Sequence, residues 1–373
     1  MKVVGVETVV VGTPWRELTF VELVTDEGLR GVGEARMVNK TDTLLACIDE
    51  LAGRYVLGMD PFDVERLAWQ VHWAEYGRAG EVTQTALAVL DVACHDLIGQ
   101  ATGVPVWRLL GGRFRDRVPA YANGWYQGDR DPEVVARFAT EVVGRGYRGL
   151  KIDPFGAASA ELGQAELGLA VDLIAAVRVA RALEPFGPAW IEEPVPPYNP
   201  AGLHQVRAGT WLPLATGERL HVLAEFRELF EDGLVDVVQA DLTHFGGFTT
   251  LRKLAGWAAA YELLLAPHNV CGPVGTAANL HLAVATGNYK VLEHFNDFAD
   301  PWVKDLVHGA PTVDPADGCF ALPTGPGLGV RLDRDAVARH PRTGVHFNLF
   351  RDGWERRDAL PQRTPPPGRP APA

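Results

Sequence analysis

Apolar and polar positions along the chain change their period twice. Residues 3–12 (VVGVETVVVG), 18–28 (LTFVELVTDEG) and 29–35 (LRGVGEA) run apolar or alternate, with the Asp26-Glu27-Gly28 turn between the second and third. They predict a three-stranded meander. From Thr41 to about Thr102 the spacing becomes helical. Between Glu81 and Gly103 it sets Ala86, Leu90, Ala93 and Leu97 on one face, and Gly103-Val104-Pro105 ends the run. Strands followed by helices predict a segregated α+β unit over residues 1–117.

After Gly111-Gly112 short apolar strands alternate with amphipathic helices. The strands are VPAYANG (118–124), YRGLKID (147–153), PAWIEEP (188–194), LPLATGE (212–218), VDVVQAD (235–241), LLLAPHN (263–269) and YKVLEHF (289–295). Such alternation predicts a parallel sheet closed as an α/β, TIM-type barrel over 118–345. Only seven strands can be counted. The interval from the second to the third is 41 residues, and 160–184 (AELGQAELGLAVDLIAAVRVARALE) reads as one unbroken helix, as if two helices had fused and a strand between them were lost. Residues 346–373 form a C-terminal segment whose Pro-rich end, from Pro361, is expected to be disordered.

The 373 residues are 47% apolar and carry a net charge of −12, which argues against a nucleic-acid binder. Cys47, Cys94, Cys271 and Cys319 are isolated and fit a reducing compartment. The N-terminus lacks a basic region, and no apolar stretch is long enough to span a bilayer. A cytoplasmic protein with no membrane partner is expected.

The chemistry lies at the strand ends. From the second strand onward each ends in ionisable residues: Lys151 and Asp153, Glu192 and Glu193, Glu218, Asp241, His268, then Glu293. Catalytic groups of such barrels sit at these C-terminal ends. Glu192, Glu218 and Asp241 are 26 and 23 residues apart, one β/α unit each, so they converge on the barrel axis. One acid at a strand end is usually a cap or a solvated loop, but six consecutive strands strain that explanation. Carboxylates gathered this way suit a hard cation such as Mg²⁺. Along the strand Lys151 shares a face with Asp153, and Glu192 with Trp190, while Glu193 points away. His268, one unit past Asp241, suggests an Asp–His pair, and Lys151 could neutralise a substrate carboxylate.

Several stretches at matching mutual spacing resemble the enolase superfamily, specifically its mandelate racemase-like subgroup: GVPVWRLLGGRFRDRVPAYA (103–122), GLKIDPFG (149–156), WIEEPVPP (190–197), TGE (216–218), QADLTHFGG (239–247), PHNVCGPVGTAANLHLA (267–283) and LEHF (292–295). The resemblance implies Mg²⁺-assisted removal of the proton α to a carboxylate through an enediolate. It places metal ligands on Glu192 and Glu218, the dyad on His268 and Asp241, the second-strand K-x-K on Lys151-Ile152-Asp153, and the enediolate's hydrogen-bonding acid on Glu293. Asp153 thus stands where a second lysine would make a racemase. The family's first metal ligand belongs to the strand that cannot be found, which the resemblance explains as an internal deletion. Asp172 and Glu184 lie within the helix and cannot replace that ligand by position, which leaves Asp153 as the candidate to reach the metal.

The leading expectation is a dehydratase-type lyase of the mandelate racemase-like kind, acting on a sugar acid (an aldonate or an aldarate) and forming a homo-oligomer. Specificity loops are expected from the capping unit near Thr13–Glu17 and Tyr55–Asp60. Two alternatives stand beside it. The lost strand would suit a catalytically impaired relative with a binding or structural role, and Lys151 as a Schiff-base lysine would suit a metal-independent aldolase.

Overall fold

The computed structural model describes residues 1–76, 79–158, 163–179 and 187–357. The meander is as expected. Strands β1 (Val3–Gly12), β2 (Glu17–Thr25) and β3 (Arg30–Ala35) pair antiparallel in the order β1-β2-β3. Behind them lie α1 (Thr41–Leu51), α2 (Val64–Ala74) and α3 (Glu81–Thr102), the last ended by Gly103 at φ 68°. Ala86, Leu90, Ala93 and Leu97 are all buried in this unit's core, with Leu44, Ile48 and Leu67. β3 lies almost against α3. A Cβ at Gly31 or Gly33 would strike the carbonyl oxygens of Ala93 and Val89, so only glycine allows that approach.

Past the single turn α4 (Val106–Leu109) comes the barrel. Its strands are β4 (Arg117–Ala122), β5 (Ile191–Glu192), β6 (Leu214–Thr216), β7 (Val237–Val238), β8 (Leu264–Leu265) and β9 (Leu292–His294). β5-β6-β7-β8 form one parallel arc, and β4 pairs parallel with β9. A single bridge, Leu265 to Tyr289, joins the two arcs. The strand expected at 147–153 is reduced to one bridge, Leu150 to Ala122. Its amides and carbonyls bond β4 on one side only, through Lys151 N to Ala122 O (2.8 Å) and Ala122 N to Gly149 O (2.9 Å). Among the described residues no ladder links it to β5, and a strand paired on one side ends quickly.

The barrel helices are α5 (Pro132–Gly144), α6 (Gln164–Val179), α7 (Pro200–Gly209), α8 (Arg227–Glu231), α9 (Gly247–Ala260) and α10 (Pro273–Ala285). α5 starts where Asp131 accepts from the amides of Glu133 (2.9 Å) and Val134 (3.1 Å), with Pro132 in the first turn. The long helix expected over 160–184 is described as α6, and its end, with Glu184, lies outside the described residues. So does the Pro-rich end of the chain. Among the described residues no helix is long and apolar enough to cross a membrane.

The two units are latched by Glu34, on β3. Its carboxylate accepts from the amides of Gly272 and of Gly275 (2.8 Å), at the start of α10. Negative charge there satisfies amides that have no partner within the helix.

Candidate active site

Of the eight strand-end residues singled out from the sequence, all but Asp153 and Glu193 gather at one mouth of the barrel. Asp241, completely buried just past β7, accepts from His268 Nδ1 at 2.7 Å through Oδ2. Its Oδ1 accepts from Thr243 N and Thr243 Oγ1, both at 2.8 Å. Asp241 can serve as fixed acceptor for His268 because Thr243 holds the carboxylate still. Burial alone would raise the Asp241 pKa, but the bond to His268 and the neighbouring positive charges hold it well below the carboxylate range. Burial likewise lowers His268, yet the Glu218 carboxylate and the Asp241 bond leave its pKa above the usual imidazole value. The outer nitrogen, Nε2, lies 3.7 Å from Glu218 Oε2.

Lys151 stands across the mouth. Its ammonium contacts Glu192 Oε1 and lies 3.3 Å from Glu293 Oε1 and 3.8 Å from Glu218 Oε2. Burial opposes its charge, but these three carboxylates push its pKa well above that of a free lysine. A lysine held as an ammonium is no Schiff-base nucleophile, which removes the support for the aldolase alternative. Lys151 also bridges by side chain the seam between the Leu150 segment and β5 where no ladder is described.

Each carboxylate is aimed by neutral neighbours. Glu192 Oε2 accepts from Gln239 Nε2 (2.8 Å) and Trp190 Nε1 (3.3 Å), as the shared face of Trp190 and Glu192 implies. Glu193 points the other way, to Thr216, Gly217 N and Arg219. Glu293 is wholly buried. It accepts from Asn123 Nδ2 and from Asn269 N, each at 2.7 Å. Glu218 is driven upward by burial but held down at about 2 by His268 and Lys151.

Asp153 is the exception. Its carboxylate accepts from Phe155 N at 2.9 Å, closing a turn, with the Arg130 guanidinium nearby. It is not joined to Glu192 and Glu218, and burial raises its pKa. The loop at 13–17 reaches the mouth, where the Arg16 guanidinium donates to Val270 O. The loop at 55–60 instead bonds the start of β1, through Val3 N to Met59 O (2.9 Å) and Gly58 N to Val3 O (2.8 Å). Sequence reading named the 13–17 loop without singling out Arg16, and it passed over Asn123, Gln239, Asn269 and Arg36. Gln239 had a signal, two residues before Asp241 on the same strand face; the others sit in loops whose direction only the fold reveals.

Glu192 and Glu218 turn oxygens toward one point, the Lys151 ammonium. Two carboxylates completed by water form a coordination set that Mg²⁺ accepts, so these residues fit a reduced metal site. Among the described residues, the three-membered group of ligand atoms within 4.8 Å of one another is His204, Glu228 and Asp232, exposed on the outside of the barrel.

A two-domain fold with this strand-end constellation defines a class of enolase-type enzyme. Residues 6–111 match the mandelate racemase / muconate lactonizing enzyme N-terminal domain, and residues 133–336 match the enolase C-terminal domain-like family. The chain belongs to the mandelate racemase/muconate lactonizing enzyme family of the enolase superfamily. It is 34% identical to the D-gluconate dehydratase of Thermoproteus tenax, across 86% of this chain and 69% of that one. It is also 34% identical to the D-galactonate dehydratase of Klebsiella pneumoniae (strain 342), across 88% and 93%. A crystal structure of a mandelate racemase/muconate lactonizing enzyme from Jannaschia sp. CCS1 superposes with a TM-score of 0.85 at 31% identity, covering 92% of this chain and 98% of that one. The family typically uses a divalent metal.

Proposed function

We propose that the protein is a sugar-acid dehydratase: it removes the proton α to the carboxylate and expels the β-hydroxyl as water. The arrangement that carries this reading is the buried Asp241–His268 pair facing Lys151 across a ring of carboxylates. The names of the relatives, gluconate and galactonate dehydratases, support a polyhydroxy acid as substrate.

Lys151 donates to the substrate carboxylate and neutralises it. His268 Nε2 takes the α-proton, while Asp241 fixes Nδ1–H and stabilises the imidazolium that forms. The electrons of the broken C–H bond delocalise into the carboxylate as an enediolate, beside the Lys151 charge. As the β C–O bond breaks, His268 returns its proton to the leaving hydroxide, giving water and an enol that tautomerises to the 2-keto-3-deoxy acid. Glu293, held by Asn123 and Asn269, lines the enediolate's side of the mouth. Glu192 and Glu218 would hold Mg²⁺, which supplies further positive charge at the carboxylate when bound. One histidine suffices for both proton transfers, and Asp153 in place of a second lysine favours dehydration over racemisation.

Turnover is read as 2-keto-3-deoxy acid formed from a panel of aldonates with Mg²⁺ present. Wild-type protein should make product, and His268→Asn should lower kcat by roughly 10²–10⁴. Product formed equally well by His268→Asn would defeat the proposal. The gap beside β5 favours a second reading, a relative with weakened metal binding, in which turnover rises steeply with added Mg²⁺ into the millimolar range.

A further inference from the structure

A second Asp–His pair lies away from the mouth, where the N-terminal unit meets the barrel. Asp91 and His95 stand one turn apart on α3; Asp91 is completely buried and His95 is 8% exposed. His95 Nδ1 lies 2.9 Å from Asp91 O and 3.3 Å from Asp91 Oδ1. The same Oδ1 accepts from Thr249 N, in the first turn of α9, at 3.3 Å. The pair is thus built into the seam between α3 and α9.

A cavity of about 340 Å³ opens on this seam. Val64 and Glu65 of α2, His95 of α3, and Thr249, Arg252 and Lys253 of α9 line it. The Nδ1 edge of His95 is turned to Asp91, and its ring packs on Phe248 with centroids 5.0 Å apart. That leaves Nε2 as the polar atom His95 presents to the cavity, and Nε2 has no hydrogen-bond partner among the described residues. Glu65 is already engaged by Lys253 at 2.6 Å, while Arg252 makes no ion pair with any described residue. Burial opposes charge on His95, yet the charge and hydrogen bonds of Asp91 leave its pKa above the usual imidazole value.

These groups form a donor set without an acceptor. With Nδ1–H given to Asp91, the imidazolium has Nε2–H left to donate outward, and the Arg252 guanidinium adds a fork of N–H donors on the same cavity. A polar group withdrawn from water calls for a partner, and a charged acceptor makes hydrogen bonds about twice as strong as a neutral one. A cation would meet Arg252 and Lys253 on the same wall.

We propose that this cavity binds an oxyanion, a phosphate free or esterified, between His95 Nε2 and the Arg252 guanidinium. The site is separate from the mouth and independent of the dehydratase reading. Bound there, the anion joins α3 of the N-terminal unit to α9, the helix that follows the Asp241 loop, and so reinforces the seam that Asp91 and Thr249 already bridge.

The test is calorimetric titration of the full chain, in phosphate-free buffer, with inorganic phosphate and with glucose 6-phosphate, against chloride at equal ionic strength. One site per chain with a dissociation constant at or below about 1 mM is expected. The tighter probe tells whether the anion is free or carried on a larger molecule. Removing one charged hydrogen-bond donor weakens binding by roughly 10–100-fold. Arg252→Met and His95→Gln should each show that loss, and Arg252→Lys should keep part of the affinity. Arg252 is exposed, so Arg252→Met should melt at the wild-type Tm without phosphate. Added phosphate should then raise Tm in wild type and leave it unchanged in Arg252→Met. Neither probe binding, or binding as tight in Arg252→Met and His95→Gln as in wild type, would overturn the site.

Discussion

Replacing Asp241 by Asn changes one heavy atom and should cost most of the activity. Oδ1 of Asp241 accepts from the backbone amide of Thr243, a donor that cannot turn away. In the variant the side-chain oxygen must therefore occupy that place, which sends the new NH₂ toward His268 Nδ1, 2.7 Å from the present Oδ2. A donor facing Nδ1 forces the imidazole to carry its proton on Nε2, the atom that must accept the substrate's α-proton. Wrong-tautomer substitutions of this kind reduce kcat by about 10⁴. The imidazolium also loses a charge-assisted hydrogen bond worth roughly 1.5–3 kcal/mol, which at 1.36 kcal/mol per pKa unit lowers the His268 pKa by about one to two units. The assay is the pH profile of kcat for 2-keto-3-deoxy acid formation, beside a thermal melt. Because the amide remains hydrogen-bonded at both ends, Tm should move little while kcat falls. A rate within threefold of wild type, or a basic residue titrating at the same pH in both proteins, would refute the tautomer argument.

Other outcomes follow from the same geometry. Lys151→Met removes the ammonium that separates Glu192, Glu218 and Glu293 and should destabilise the fold by about 3 kcal/mol at neutral pH. That loss should shrink toward pH 4, where protonation relieves the repulsion, and urea denaturation showing equal losses at both pH values would contradict it. Asp96, buried on α3, has its pKa raised to about 7 by burial, against the hydrogen bonds it accepts from Leu328 N and Val32 N. Its folded form holds a proton more tightly than the unfolded chain does. Its contribution to stability is therefore complete below about pH 4 and lost as pH rises toward 7, by up to about 4 kcal/mol. Asp96→Asn should flatten that part of the stability–pH curve, and an unchanged slope would count against the assignment. Calorimetric titration with Mg²⁺ should show binding roughly 10–100-fold weaker than in relatives with a third carboxylate ligand, and none in Glu218→Gln; affinity equal to theirs would mean that another group completes the site.

What could be read from the chain was whatever repeats with a period. The meander of β1 to β3 and the buried face of α3 follow from spacing alone, and one β/α unit separating Glu192, Glu218 and Asp241 was enough to bring them together. The parity argument separated Glu192 from Glu193. Parity was not enough for Asp153, whose carboxylate closes a turn on Phe155 N while the Lys151 ammonium joins Glu192, Glu218 and Glu293. The second barrel strand was overestimated for a related reason: its apolar pattern is genuine, but pairing depends on neighbours, and among the described residues it has one. Arg16, Arg36 and Asn269 carry no periodic signal, since loops acquire direction only after the elements beneath them have packed.

The contact between Glu34 and the start of α10 joins two distant parts of the chain at the helix that follows the His268 loop. The first turn of that helix leaves amides to be satisfied, and the group that satisfies two of them belongs to the other domain. Part of the catalytic loop's hydrogen bonding is therefore supplied from outside the barrel. A chain released with its N-terminal unit unfolded or displaced would carry every proton-transfer residue and still present a frayed helix beside His268. Docking of the N-terminal unit should therefore order the loop that carries His268, and a capping unit exchanged between relatives is expected to preserve that order best where it brings an acceptor in the place of Glu34.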